Sequence, residues 1–340
     1  MTIRKPEVIR VSIGSAIVLG LVKGLLKAPP TTVYLLTYTK GKCTANCGFC
    51  AQARSSKARE DLLSRVSWPP FPLSEVKRKI ASAYSEGKIQ RVCIQTLNYE
   101  GVLEDVAHIL AELKSISDIP VSLSSQPLPK EYMKELLQAG LERIEVSLDA
   151  ATEELFDKVK GSGVNGPYRW GSQIKALLEA VEVFGRGKVT THLIAGLGEK
   201  ERDMVKTIQW CVDRGILPAL FAFTPIPGTR LENLTPPMIE SYRKIQVARY
   251  LIVKRIIRYE DLMFNEAGEI ECFPLPRERL HKILESGEPF ITSGCPGCNR
   301  PFYNERVSGP VYNVPNKDFW KEIKRVEVER LTRVIRSCSI

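Results

Sequence analysis

Beyond Pro30 the chain alternates short β-branched, apolar runs with longer stretches whose apolar residues recur at helical spacing, and no other feature restricts the fold as much. The runs at 32–37, 91–96, 120–124, 143–148, 188–195, 218–224 and 256–263 predict strands, with an eighth at 290–293. Between them, 73–86, 101–115, 130–139, 174–184, 200–214 and 236–253 predict helices. Val102, Val106, Ile109, Leu110 and Leu113 illustrate the spacing. Strand, helix and strand in succession make a parallel pair with a right-handed crossover. Seven or eight such units predict an α/β fold of the TIM-type (β/α) barrel, not an open doubly wound sheet. No Gly-x-Gly-x-x-Gly follows the first strand, which speaks against a dinucleotide fold.

Two flanks fall outside the alternation. Residues 11–26 are apolar but contain Lys23, stop at Pro29 and Pro30, and are too short to span a bilayer. They predict a buried N-terminal helix capping the fold within residues 1–30. Residues 31–265 predict the barrel. From 266 a run rich in Pro, Gly and Cys leads to a charged helix at 317–335, an extension packed across the barrel within 266–340. The net charge is +10. Basic residues mostly interleave with acidic ones, and Glu153, Glu154, Asp157, Lys158 and Lys160 read as a solvated helix face. With no RNA- or DNA-binding motif, neither nucleic acid nor membrane is an expected partner. A basic surface suits an acidic protein partner or an anionic cofactor.

Nine cysteines, an odd number in short spacings, argue for metal binding in a reducing, cytoplasmic compartment and against a disulfide framework. Cys43-Thr-Ala-Asn-Cys47-Gly-Phe-Cys50 follows the first predicted strand, which puts it on the carboxyl-end face of a barrel, where chemistry sits. Three thiolates can ligate three irons of a cubane and leave the fourth open, as catalytic metal sites do. A zinc knuckle is the alternative, but it wants four ligands and no histidine is near. In the tail, Cys295-Pro-Gly-Cys298, with Cys272 upstream and Cys338 near the terminus, can supply a second cluster or a zinc ion. Cys211 sits in an amphipathic helix and reads as buried.

Cys-x3-Cys-x-Phe-Cys resembles the signature of the radical S-adenosylmethionine superfamily. The resemblance implies a 4Fe-4S cluster on Cys43, Cys47 and Cys50, with S-adenosyl-L-methionine chelating the open iron through its amino and carboxylate groups. One electron then gives a 5′-deoxyadenosyl radical, which abstracts hydrogen from an unactivated carbon. The resemblance also places Phe49 against adenine and Ser147 and Asp149 on the ribose hydroxyls and amino group. It places Ile194-Ala-Gly196-Leu-Gly-Glu199 against adenine as well. Read by themselves, Asp149 suits a helix N-cap for 150–158 and the glycine segment suits a plain strand-to-helix turn. Gln95-Thr96 stands where many members carry Gly-Gly-Glu for the methionine amine.

From about Thr32 to Met263 the order of segments is similar to biotin synthase, through Arg91-Val-Cys93, Ala139 to Asp149, and Val247-Ala-Arg249. In that enzyme the strand matching Arg91–Cys93 supplies a ligand to a second, sulfur-donating cluster. Its other two cysteines would fall near Ser122 and Thr190, and Arg258 falls near its arginine ligand. With one cysteine of three, such a cluster in the barrel is not expected, and Cys93 reads as a small core residue.

The tail set of Cys272, Cys295, Cys298 and Cys338 is similar instead to lipoyl synthase, whose auxiliary cluster is the source of sulfur. That enzyme carries its auxiliary cysteines near the N-terminus, and Arg336-Ser337-Cys338-Ser339 is only loosely similar to its terminal Arg-Ser-Ser. The pattern most resembles the biotin-synthase-like proteins of archaea and some bacteria that work in pairs to make lipoyl groups. This implies an auxiliary 4Fe-4S cluster, a companion radical enzyme, a reductant, and an octanoyl substrate on a carrier protein. The carrier would be the glycine cleavage H protein or an acyltransferase lipoyl domain. Biotin synthase, or another radical enzyme with a structural C-terminal metal, is the alternative. A non-catalytic or nucleic-acid-binding module is the third.

Overall fold

Six of the predicted strands form as expected, each within about two residues of its predicted ends. In a computed structural model describing residues 6–338 they are Thr32–Leu36, Arg91–Gln95, Val121–Ser125, Arg143–Val146, Val189–Ala195 and Ile216–Ala222. All five neighbouring pairs are parallel. Such strands are covered on both faces, so their sequences are nearly continuous apolar runs; every residue of Thr32–Leu36 is buried. The crossover helices turn one stripe inward: Val102–Lys114 buries Val106, Ile109, Leu110 and Leu113.

The barrel is partial. The first and sixth parallel strands are not paired with each other. Beyond the first strand the sheet continues antiparallel through Val8–Val11 and Pro70–Pro72. The predicted seventh strand at 256–263 is corrected: after the helix Ile239–Val253 the chain turns through Arg255, at φ +56°, into a 3-10 turn at Tyr259–Asp261. The strand formed there is Met263–Phe264 alone, and it pairs with Ile270–Cys272 in a separate hairpin. Ile256 and Ile257 are too short an apolar run to build a strand, and the charged residues after them bond locally, Arg258 N donating to Asp261 Oδ2 at 2.7 Å. The eighth is a 3-10 turn, Glu288–Phe290, followed by a single bridge from Ile291 to Val314.

The N-terminal cap is also corrected. Val8–Val11 joins the main sheet and the helix is only Ile13–Val18, opened by Ser12, whose Oγ accepts from Ser15 N. Gly20, at φ +67°, lies just past its end, and Leu25 stands fully exposed. Among the described residues no helix is long and apolar enough to cross a membrane.

The open seam of the barrel is filled by the extension. Leu220 N, on the sixth strand, donates to Ser293 Oγ at 2.8 Å. Across the gap, the hydroxyls of Thr31 and Thr32 donate to Gly297 O at 2.6 and 3.0 Å, and Arg300 N donates to the Tyr34 hydroxyl at 2.9 Å. The segment from Ser293 to Arg300 thus bridges the two strands that do not meet. Farther on, Asn316 caps the helix Lys317–Val334, its Oδ1 accepting from Phe319 N at 2.8 Å.

After that helix the tail returns beside Phe273, whose N–H donates to Arg336 O at 2.8 Å, and Cys338 N donates to Phe273 O at 2.9 Å. There Cys272 and Cys338, expected among the auxiliary ligands, are bonded to each other across 66 residues of sequence. Ser339, the last residue of the terminal motif, lies outside the described residues. Closing a loop of that length restricts the unfolded chain by about 4 kcal/mol. Cys338→Ser should therefore lower the free energy of unfolding by up to about 4 kcal/mol in denaturant titrations, and reducing the wild type should give the same loss.

Candidate active site

The first cysteine loop leaves the first parallel strand and is held by its own backbone. Cys43 N donates to Gln52 O at 3.0 Å, Cys50 N to Cys47 O at 3.1 Å and Arg54 N to Ala45 O at 2.9 Å. It is pinned to the barrel at Gly48, whose N–H donates to Val159 O at 2.7 Å and whose carbonyl accepts from Leu231 N at 3.0 Å. The sulfur of Cys43 accepts N–H bonds from Asn98 at 3.1 Å and Ala45 at 3.4 Å, an arrangement suited to a thiolate. Burial holds the thiols of Cys43, Cys47 and Cys50 above the usual cysteine range, Cys50 at about 12. Lys160 opposes this at Cys47, while the neighbouring thiols of the loop reinforce it at Cys47 and Cys50. Buried thiols that suppress one another's ionisation become thiolates when a cationic centre compensates, which is what an iron–sulfur core provides. Among the described residues no three Cys, His, Asp or Glu side chains close on one point as a single ion requires. Three thiols that each bind a different iron need no such point.

Cys47 and Cys50 line a cavity of about 190 Å³ inside the barrel. Cys93, Cys295 and Cys298 line the same cavity. Cys93, read from the sequence as a core residue, is therefore corrected to a cavity residue. Burial raises its thiol far above the usual range, and the charges of Cys295 and Cys298 raise it further. Ser122, paired in register with Cys93, donates from its hydroxyl to Cys295 Sγ at 3.6 Å, and Thr190 Oγ1 lies 4.0 Å from the same sulfur. The seam-filling loop thus brings a thiol to the two strand positions where the sequence comparison with biotin synthase finds no cysteine. Arg258 is exposed and ion-paired with Asp213 and Glu260, away from this cavity. The arginine inside is Arg300, 9% exposed, its guanidinium 3.7 Å from the Phe221 ring centroid and two of its nitrogens, Nε and Nη1, without a hydrogen-bond partner among the described residues. Cys272 and Cys338 are spent on each other, so the structure divides the expected tail set in two.

A smaller cavity of about 120 Å³ adjoins the first and shares Phe49, Cys50, His192, Phe221 and Tyr303 with it. Asp149 lines the smaller one and Ser147 the larger. Asp149 is not a helix N-cap: the helix is Glu153–Val159 and Thr152 caps it, its hydroxyl accepting from Leu155 N at 3.2 Å. Asp149 takes φ +67° and its Oδ2 accepts from Lys160 Nζ at 2.7 Å. Lys160 is fully buried, which corrects its reading as part of a solvated face. Its ammonium also donates to Ser147 O and lies over the rings of Tyr168 and Phe156.

Glu145 was not anticipated. It faces the larger cavity, 4% exposed, and accepts bonds from the hydroxyls of Ser124 and Ser147. Burial pushes its carboxyl up to about 8, with the charge of Asp149 adding to this and the two serines opposing it. Its neighbour His192, Nδ1 3.5 Å from Glu145 Oε1, is held well below the usual imidazole range by burial first and then by Arg300 and Lys160. The folded state therefore keeps a proton on Glu145 that the unfolded chain releases near pH 4.5. Its contribution favours folding less as pH rises from about 4.5 to about 8, by at most about 1.4 kcal/mol per pH unit. Glu145→Gln should remove that slope, so the variant's stability relative to wild type should climb across this window in denaturant titrations.

Gly196 and Glu199 form a self-contained turn. Gly196 N and Leu197 N donate to the Glu199 carboxylate at 2.7 and 3.0 Å, and Gly196 sits at φ +99°. A side chain at Gly196 would meet Pro237 at 2.6 Å, so the close approach that requires glycine here is to the protein itself. From this segment it is Ile194 that reaches the smaller cavity. Gln95 and Thr96 line the larger one.

The description "Radical SAM superfamily" belongs to a family model that matches residues 38–211 of the chain. Among curated proteins, a biotin synthase of Magnetococcus marinus is 29% identical over 169 residues, 49% of this chain and 48% of that one. A GTP 3′,8-cyclase of Rippkaea orientalis is 32% identical over 281 residues, 78% of this chain and 77% of the relative. The chain spans 48% to 66% of the length of the biotin synthases from Magnetococcus marinus, Chlamydia pneumoniae and Sulfurihydrogenibium sp.. Among solved structures, a methylornithine synthase superposes with a TM-score of 0.51 at 13% identity, covering 71% of this chain and 66% of that one, a likeness of fold.

Proposed function

The chain belongs to the radical SAM superfamily, whose model matches half of it, and from that premise we propose that it inserts sulfur into a protein-bound octanoyl chain in lipoyl cofactor synthesis, acting with a second radical enzyme. Family membership implies a 4Fe-4S cluster and S-adenosylmethionine. Bound, they supply a carbon-centred radical able to take hydrogen from an unactivated C–H bond, chemistry that no side chain can perform. Cys43, Cys47 and Cys50 would hold the cluster. Phe49, Ser147, Asp149 and Ile194 would position the cosubstrate, with Lys160 fixing the Asp149 carboxylate.

The observation that carries the reading is the second thiol set, Cys93, Cys295 and Cys298, lining one cavity with Cys47 and Cys50. A radical formed on a substrate in that cavity would share it with the group that made it and with a source of sulfur. Cys93, Cys295 and Cys298 would hold that source, an auxiliary iron–sulfur cluster. Cys295 and Cys298 sit on a Gly- and Pro-rich loop of the seam and not on a strand, which suits a cluster that must give up an atom. Relatives named for biotin and for GTP differ in substrate, so likeness to them at 29% and 32% identity supports the class of chemistry and not the acceptor.

The test is anaerobic incubation of the reconstituted protein with reductant, the companion enzyme and octanoylated glycine cleavage H protein. Sulfur should be gained on the carrier, with one 5′-deoxyadenosine formed per sulfur inserted. Conversion of dethiobiotin to biotin, with no change in the carrier, would overturn the assignment.

A further inference from the structure

A groove of about 420 Å³ runs along the outside of the barrel seam. Its inner wall is made by Tyr34, Arg300 and Tyr303, and these three side chains also line the cavity that holds the cysteines. The groove therefore lies against the back of the wall that encloses the chemistry. Its outer lips are apolar. Ile13, Leu25 and Val307, three of the nine large apolar side chains that stand exposed among the described residues, all border it. Leu25 in particular touches nothing that hides it from water.

The charges bordering the groove have one sign. Lys27, Arg59, Arg65 and Arg300 line it, and among the described residues no aspartate or glutamate does. Arg59 is paired with Asp61 and Lys27 with Glu322, and both bridges are partly solvent-exposed, so an incoming carboxylate can compete for either cation. Burial and then the charge of Arg306 depress the basicity of Arg65, and Glu305 opposes them.

We propose that this groove is the docking site of a carrier domain that surrounds an acylated lysine with acidic residues. The apolar side chains of the groove take the carrier surface beside the acylated lysine, and its cationic side chains take the carboxylates. The proposal rests on the octanoyl reading above and adds to it the surface and the charge of the partner. Apolar contact supplies affinity and the one-signed charges supply orientation and association rate.

The experiment is calorimetric titration of octanoylated glycine cleavage H protein into the reconstituted full chain, with Leu25→Glu and Arg59→Glu as variants and Val326→Glu, on the exposed face of the C-terminal helix, as control. The two groove variants should weaken binding by about tenfold or more, the control should not, and Arg59→Glu should flatten the salt dependence. Formation of 5′-deoxyadenosine without carrier should be unchanged in both. Unaltered affinity in the variants, absence of carrier binding by the wild type, or an effect confined to self-association, to the companion enzyme or to nucleic acid would each overturn the proposal. Weakened carrier binding with no sulfur insertion by the wild type would keep the groove and discard the substrate reading.

Discussion

Cys295→Ala should cost the reconstituted protein about half of its iron and leave reductive cleavage of S-adenosylmethionine in place. The expectation follows from where the thiols stand. Cys295 and Cys298 reach the cavity from the seam loop and share no backbone bond with the loop of Cys43, Cys47 and Cys50. Loss of one set should therefore not unseat the other. Cys47→Ala should do the reverse, removing the complementary half of the iron and all cleavage. Cys272→Ser should change neither quantity, because its sulfur is bonded to Cys338 and absent from the cavity. Cys93→Ser is the sharpest member of the series, since only a ligand role predicts that it behaves like Cys295→Ala. A Cys272→Ser protein that lost half its iron would return the auxiliary site to the tail. Electron paramagnetic resonance of the reduced proteins, with and without S-adenosylmethionine, reports which cluster remains.

The parts of this site that were legible in the sequence are those encoded locally. A strand's apolar run, a helix's spacing and three cysteines within eight residues carry their meaning in adjacent positions, and six strands and the first cysteine loop are found where expected. What was not legible depends on residues far apart in the chain. Cys93 and Cys295 meet because the extension fills the seam, and nothing near either residue announces that the barrel stops at six parallel strands. Arg258, the arginine singled out by its place in sequence, is ion-paired with Asp213 outside the cavity, while Arg300, far along the chain, lines it. Lys160 was misread for a related reason. It follows a helix whose charged residues are mostly exposed, but as the residue that ends that helix it turns inward toward Asp149. Helical periodicity stops applying where the helix stops.

Lys160→Met should destabilise the protein by about 3–5 kcal/mol, the usual cost of leaving a buried charge without its partner. Lys160 has no exposed side-chain surface and that of Asp149 is 9% exposed, so water cannot take over the role of the missing ammonium. The lysine also satisfies the carbonyl of Ser147 and fills the space between Phe156 and Tyr168, and methionine restores only the packing. Adding Asp149→Asn to Lys160→Met removes the orphaned charge and should recover part of the stability in urea titrations. It should not recover S-adenosylmethionine binding, because an amide replaces one acceptor oxygen with a donor where the proposed site needs two acceptors for the ribose hydroxyls. The two measurements separate the roles. If the pair were only structural, the double variant would regain stability and binding together. If Lys160 positions Asp149 for the cosubstrate, stability returns and affinity, read by equilibrium dialysis of S-adenosylmethionine, does not. A Lys160→Met protein within about 1 kcal/mol of wild type would mean that Asp149 finds another partner when the lysine is gone, and the positioning role would fall with it.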